Sequence, residues 1–274
     1  MLRSMTPASC KRFTESVTRL GGTIPKPLAD TLTGFDALKA WTAPDPTAAL
    51  TNAIAEGKFT PTTAAKLLEQ ATTTDGGNEK VAKIRLSAEL ALIRRFYDEL
   101  KGKSGDAVIE SLRPAFDTAA AAMVNASNHF SPEATADQVI DMGAEAAEVW
   151  RTLPQHRRTL DEILNVIIAW LAVDGDGPEI VGNRQLERRG DCQKVAFLMD
   201  GPRGNIQDAA LALDPLRQQG RRGGRWQFVL QHTTLRLNTP TEANAILDVY
   251  ENAEREARQR EVEQGQGLPE GLKV

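Results

Sequence analysis

Residues 86–123 read LSAELALIRRFYDELKGKSGDAVIESLRPAFDTAAAAM. The first half of this stretch carries apolar side chains at intervals of four, three, four and three residues, at Leu86, Leu90, Ile93, Tyr97 and Leu100. After the polar segment 102–105, intervals of three and four return at Ile109, Leu112, Phe116, Ala119 and Met123. Such spacing places side chains on one face of an α-helix. The stretch therefore predicts two long helices that form an antiparallel hairpin with matched apolar seams.

Two interpretations of these seams remain open. Each seam covers about two heptads, fewer than the three or four that indicate a coiled coil. Two packed helices of one bundle are the simpler interpretation, and an intermolecular coiled coil is the alternative. In both cases the seam residues carry packing or self-association rather than chemistry, and the candidates are Leu86, Leu90, Ile93, Tyr97, Leu112 and Phe116. Pro114 predicts a kink in the second helix.

Helix starts are visible as a small polar residue followed by proline, because proline at the first helical position loses no backbone hydrogen bond. The pattern occurs at Asp45-Pro46, Thr60-Pro61, Ser131-Pro132 and Thr239-Pro240. Thr239 with Glu242, and Thr159 with Glu162, also have the spacing of a capping box. These features predict helices over residues 46–56, 61–74, 132–149, 159–173 and 240–262.

The pattern changes after residue 173. The run DGDGP at residues 174–178 strongly favours a break. Short β-like runs follow at 195–199, 226–231 and 233–237, and the last two are placed to form a hairpin. We therefore predict a mainly α protein with a helical bundle over residues 1–175. A smaller α+β region over 176–262 would end in a charged helix, and residues 263–274 would form a flexible tail.

The composition is that of an ordinary globular protein, with 41% hydrophobic and 26% charged residues, which argues against a disordered chain. The net charge of -4 gives no overall attraction to nucleic acid or to an anionic membrane. The most apolar run, 163–173, is much shorter than the roughly 20 residues that cross a bilayer, and no signal peptide is apparent. We expect no membrane association, and reduced thiols at Cys10 and Cys192.

No catalytic or metal-binding motif is recognisable. The DGDG run lacks the glycine and glutamate that a calcium loop needs, and the three histidines lack zinc-ligand spacing. Residues 201–205 lack the ending of a phosphate-binding P-loop. Cys192 could act as a nucleophile only with a partner distant in the sequence. We therefore expect no cofactor and no enzymatic activity, with an enzyme whose active site has no motif as an alternative.

An arginine-rich loop supports a second alternative, a nucleic-acid-binding module. Residues 182–225 contain nine basic and five acidic side chains, and the loop 219–225 reads QGRRGGR. Its arginines could contact phosphates and the following tryptophan could stack on a base, so the candidate contacts are Arg217, Arg221, Arg222, Arg225 and Trp226. The simpler interpretation is a solvated loop whose arginines pair with the acidic C-terminal segment, which has eight acidic and four basic residues from Glu242 onward.

Three short runs in the N-terminal half of the chain can be compared with known proteins. Residues 48–61 read AALTNAIAEGKFTP, residues 64–68 read AAKLL, and residues 111–117 read SLRPAFD. These runs resemble uncharacterised proteins of temperate actinobacterial phages and prophages that are encoded near head-assembly genes. The resemblance implies a non-enzymatic assembly or accessory structural protein, acting through helix-mediated self-association or through another phage structural protein. It also implies a location in the bacterial cytoplasm or in the virion, and it transfers no functional residue.

Overall fold

The computed structural model describes residues 6–41, 46–58, 60, 62–64, 66, 77–174, 191–200, 206–214 and 222–265. Within these ranges the chain is mainly α-helical, as predicted. Its helices are α1 (Pro7–Arg19), α2 (Lys26–Ala40), α3 (Pro46–Ala55), α4 (Gly77–Lys101), α5 (Lys103–His129), α6 (Ala136–Asp141), α7 (Ala144–Asp174), α8 (Ile206–Leu213), α9 (Arg225–Val229) and α10 (Pro240–Gly265). A further helical turn covers residues 191–196. None of the helices described has the length and apolar character required to span a membrane.

Helix α5 lies at the centre of the bundle. It packs most extensively against α7 and also contacts α4, while α4 packs mainly against α2. The predicted seam of α5 is buried along its whole length, at Ile109, Leu112, Phe116, Ala119 and Met123. Helix α5 continues through Pro114 without a break. The helical bundle predicted from the spacing of these residues is therefore confirmed.

Two of the predicted helix starts are confirmed. Helix α3 begins at Pro46 and α10 begins at Pro240. The capping box of α10 forms as expected, because the Glu242 backbone N–H donates to Thr239 Oγ1 (3.3 Å) and the Thr239 N–H donates to Glu242 Oε2 (2.9 Å). The predicted helix over 61–74 falls largely outside the described residues.

Two other predicted starts, at Pro132 and Thr159, are wrong. Thr135 caps α6 instead, with Gln138 completing its capping box. Helix α7 runs from Ala144 to Asp174 through Pro154, so residue 159 lies in its interior. There the Thr159 hydroxyl donates to the backbone carbonyl of Gln155 (3.3 Å), as threonine hydroxyls do inside helices. The capping-box spacing of Thr159 and Glu162 therefore does not mark the start of a helix.

The α+β character predicted for residues 176–262 is not found in the part of that region that the structure describes. Residues 225–229 form a helix in place of a strand, with Trp226 and Val229 buried at helical spacing. In the run 195–199 every side chain is buried, but the first two residues belong to the helical turn 191–196. A short, fully buried apolar run has no periodicity that separates helix from strand, which explains the error.

The one pairing of extended segments seen among the described residues joins 197–200 to 234–238, and not the two runs predicted to form a hairpin. Its antiparallel bridge connects Met199 and Leu235. The backbone N–H groups of Asp200, Arg236 and Asn238 donate to the carbonyls of Thr234, Leu198 and Phe197, at 2.9, 3.0 and 2.8 Å. The Asn238 side-chain amide also donates to the carbonyls of Ala196 (2.8 Å) and Met199 (2.7 Å).

The described C-terminal residues pack onto the bundle and share its core. The indole Nε1 of Trp170 on α7 donates to the carbonyl of Leu100 (3.2 Å), and its ring contacts the ring of Phe197 at 5.2 Å between centroids. Asp106 on α5 accepts hydrogen bonds from the backbone N–H (3.0 Å) and hydroxyl (2.7 Å) of Thr241 in α10. The predicted boundary at 175–176 and tail residues 266–274 lie outside the described ranges, whereas residues 263–265 belong to α10.

Candidate functional site

The predicted seam of α4 is buried at one end and exposed at the other. Ile93 is 2% exposed and Leu100 is fully buried, while Tyr97 is partly buried against the same core. Leu86 and Leu90, which continue the seam towards the N-terminal end of α4, are 56% and 45% exposed. The seam therefore packs inside the chain only from Ile93 onward. Leu112 and Phe116, the predicted partners on α5, are fully buried.

The contacts of α2 with α4 involve a different face of α4. An added Cβ at Gly34 of α2 would lie 2.9 Å from Leu92, which shows how closely these helices approach. Arg85 donates to the backbone carbonyls of Leu38 (3.3 Å) and Trp41 (2.6 Å) at the end of α2. Because successive helical residues are rotated by about 100°, Arg85 and Leu92 lie about 120° and 140° around the helix from the centre of the face that carries Leu86 and Leu90.

Residues 82–87 of α4 are all exposed in succession, and this run covers more than one full helical turn. We call residues 82–90 the exposed arm of α4, and Leu86 with Leu90 the leucine stripe. Ile84 is also exposed, at 64%, but its position on the helix is on the side opposite the stripe. The exposed arm thus carries the leucine stripe on one side and Ile84 on the other. Ile84 can therefore serve as a control position when the stripe is mutated.

The second candidate site, the arginine-rich loop, is described from Arg222 onward, and Arg217 and Arg221 lie outside the described residues. Arg222 places its guanidinium 5.4 Å from the centre of the Trp150 ring in a cation–π contact. Gly224 lies against Arg157, so closely that an added Cβ would be 2.7 Å from the guanidinium carbon. The loop therefore follows one face of α7, on which residues 150, 157 and 161 are aligned.

Asp161 fixes the end of this loop. Its Oδ1 accepts hydrogen bonds from Arg225 Nε (3.1 Å), Arg225 Nη2 (2.9 Å) and the indole Nε1 of Trp226 (3.0 Å). Its Oδ2 lies 3.5 Å from Arg157 Nε. Arg225 Nη1 also donates to the carbonyl of Leu213 (3.0 Å), at the end of α8. One carboxylate thus binds the guanidinium and indole of Arg225 and Trp226, which are distant in the sequence, and lies beside the guanidinium of Arg157 on its own helix.

This geometry bears directly on the nucleic-acid interpretation. Trp226 is fully buried, so neither face of its ring is available to stack on a base. The charge of Arg225 is paired with Asp161 at two hydrogen-bond distances. The predicted contacts that the structure describes are Arg222, Arg225 and Trp226. Of the two arginines, Arg225 pairs with a carboxylate, whereas the guanidinium of Arg222 lies over the ring of Trp150. The described residues 222–226 are anchored on α7 by these contacts.

Gly224 adopts φ +59° and ψ -145°, a combination that is essentially restricted to glycine. We expect Gly224→Ala to lower the free energy of unfolding by about 3 kcal/mol, because the added Cβ combines backbone strain with a clash against Arg157. Gly143→Ala is the matched control, since Gly143 also has a positive φ (+102°) but no atom within 4 Å of an added Cβ; we expect a loss of about 1 kcal/mol. Equal losses in urea denaturation would contradict the close packing of the loop on α7.

Neither cysteine forms a disulfide, and both are buried. Burial raises the pKa of the Cys10 thiol to about 11, which keeps it protonated and poorly nucleophilic at neutral pH. Cys192 lies near the phenol of Tyr250, whose pKa is raised, first by burial and then by Glu254 and Cys192. Among the side chains that the structure describes, no three His, Cys, Asp or Glu residues are grouped as metal ligands would be.

Sequence reasoning missed the face of α7 that receives the loop. Trp150, Arg157 and Asp161 precede the loop 219–225 by at least 58 residues, and none of them belongs to a motif. The helical spacing of 150, 157 and 161 was the available signal, but it does not identify a partner.

Comparison with protein-family models, with curated proteins and with solved structures finds no match to this chain.

Proposed function

We propose that this protein is a non-enzymatic assembly or accessory structural protein of a phage, acting through helix-mediated self-association. The observation that carries the proposal is the leucine stripe. Leu86 and Leu90 continue the register of a buried seam but remain 56% and 45% exposed, and none of the described helices covers them, so they leave apolar surface where a second helix would fit. The resemblance of the N-terminal half to proteins encoded near phage head-assembly genes supports the phage setting.

The size of the stripe predicts weak and reversible association. Leu86 and Leu90 are already about half buried, so covering each one completely contributes about 1 kcal/mol. A pair of stripes would contribute about 4 kcal/mol, which is at the lower end of the cost of bringing two molecules together. Association through the stripe alone would therefore require high concentration. Copies held side by side on an assembling particle meet that condition, because their effective concentration is high.

We expect the mass of the protein, measured by light scattering after size exclusion, to rise with protein concentration. The double variant Leu86→Glu/Leu90→Glu should remain monomeric throughout, because each glutamate places a charge where the apolar contact forms. High salt should preserve or strengthen association of the wild-type chain, since the stripe is apolar and salt screens only charges.

Ile84→Glu is the matched control. It adds the same charge to an exposed apolar residue of the exposed arm, on the side opposite the stripe, and should associate like the wild-type chain. A wild-type chain that stays monomeric at every concentration, or an Ile84→Glu variant that loses association as completely as the double variant, would refute self-association through the stripe.

A further inference from the structure

A groove of about 420 Å³ lies between α1, α2 and α4. Its apolar lining consists of Pro7, Ala8, Phe35 and Leu38. Phe35 is buried and belongs to the core, so this part of the lining is held by the packing of the bundle. The volume lies within the range of small-molecule sites in proteins, near its lower end. It is separate from the leucine stripe, which lies on a different face of α4.

The charged lining of the groove has an excess of cations, with Lys11, Lys39 and Arg85 against Asp36 and Glu89. Lys11 forms an ion pair with Asp36, so these two charges compensate each other. The hydrogen bonds of Arg85 to the carbonyls of Leu38 and Trp41 fix its guanidinium without neutralising it. Within the described ranges, Lys39 has no carboxylate at ion-pair distance. One formal positive charge therefore remains over an apolar lining.

We propose that this groove binds a small amphipathic anion, a carboxylate with an aliphatic or aromatic body. The body would lie on Phe35 and Leu38, and the carboxylate would face Lys39 and Arg85. Arg85 suits this role because its guanidinium is already held in place, so less conformational entropy is lost when it binds an anion. The groove joins three helices, and a ligand bound there would contact α1, α2 and α4 together.

Isothermal titration calorimetry with decanoate and with decanol, its uncharged counterpart, tests the proposal. We expect saturable binding of one decanoate per chain below its micelle concentration, and about tenfold weaker binding of decanol. Lys39→Glu should weaken decanoate binding by about tenfold, because it replaces an attractive charge with a repulsive one. Arg12→Glu, which makes the same charge change on an exposed α1 position outside the groove lining, should leave decanoate binding within about twofold of wild type.

The leucine stripe is a second apolar surface on α4, so the titration is repeated with Leu86→Glu/Leu90→Glu. Unchanged decanoate binding in that variant would assign the site to the groove, independently of whether the chain self-associates. Absence of saturable binding, equal affinity for decanoate and decanol, or equal loss in Lys39→Glu and Arg12→Glu would each overturn the proposal. Far-UV circular dichroism confirms that the exposed substitutions leave the helices intact.

Discussion

Ile93→Asp is expected to unfold the bundle. Ile93 is 2% exposed and lies in the core formed by α4, α5 and their neighbours. The substitution removes a buried aliphatic side chain, worth about 2–3 kcal/mol, and places a carboxylate among buried apolar side chains. The combined loss is at least about 5 kcal/mol, which is comparable to the whole stability of many domains. Helical circular dichroism and the urea midpoint at low protein concentration measure the result.

Leu90→Asp is the control, because it makes the same chemical change three residues earlier in the same seam. Leu90 is 45% exposed, so its carboxylate reaches water and the expected loss is only about 1 kcal/mol. This variant should therefore stay folded while losing any self-association through the stripe. A helical Ile93→Asp chain with a midpoint close to that of Leu90→Asp would show that the α4 seam does not hold the bundle together.

The two helices of the predicted hairpin show which structural features a sequence pattern can predict and which it cannot. Periodicity identified both helices and the faces that carry apolar residues, because helical geometry links spacing to face directly. It could not show which helix covers each face. Helix α5 packs most extensively against α7, and Leu86 and Leu90 remain about half exposed. Which surfaces meet depends on the packing of the whole bundle, and that information is absent from the local pattern.

In the C-terminal region, the local sequence pattern predicted the wrong type of secondary structure. Trp226, Phe228 and Leu230 alternate as a strand would, but α9 buries Trp226, Gln227 and Val229. The positive φ of Gly224 and the hydrogen bond from Trp226 to Asp161 fix this conformation through contacts with α7. Tertiary contacts therefore overrode a weak local preference. For the same reason, arginine content indicated a basic loop, but it could not show that Asp161 compensates the charge of Arg225.

Asp161→Ala is expected to release the arginine-rich loop from α7. The substitution removes the acceptor of three hydrogen bonds and leaves the buried Trp226 indole N–H and the Arg225 guanidinium without it. An orphaned buried donor costs about 1–3 kcal/mol, and loss of a partly buried charge partner adds a similar amount. We therefore expect the free energy of unfolding to fall by about 3 kcal/mol. Asp161→Asn keeps an acceptor oxygen and should lose about half as much.

Glu162→Ala is the matched control for this prediction. Glu162 is the next carboxylate along α7, and its contact is a 3.8 Å ion pair with the exposed Arg19, which should contribute less than about 1 kcal/mol. Limited trypsin digestion separates loop release from global unfolding, because a released loop is cleaved after Arg222 or Arg225 under conditions in which the bundle resists. Trp226 emission should shift to longer wavelength in Asp161→Ala alone. If Glu162→Ala and Asp161→Ala are equally stable and equally resistant to trypsin, the loop is held by other contacts.

The same pair of variants tests the nucleic-acid interpretation of the loop. In the wild-type chain Asp161 compensates Arg225 and lies beside Arg157, so the loop presents less positive charge than its sequence implies. Removing this carboxylate uncovers two guanidinium groups, whereas Glu162→Ala changes the net charge equally without touching the loop. Single-stranded DNA binding at low salt should therefore be stronger for Asp161→Ala than for Glu162→Ala if the arginines contact phosphates. Equal binding by the two variants would mean that net charge, and not the loop, determines any attraction to nucleic acid.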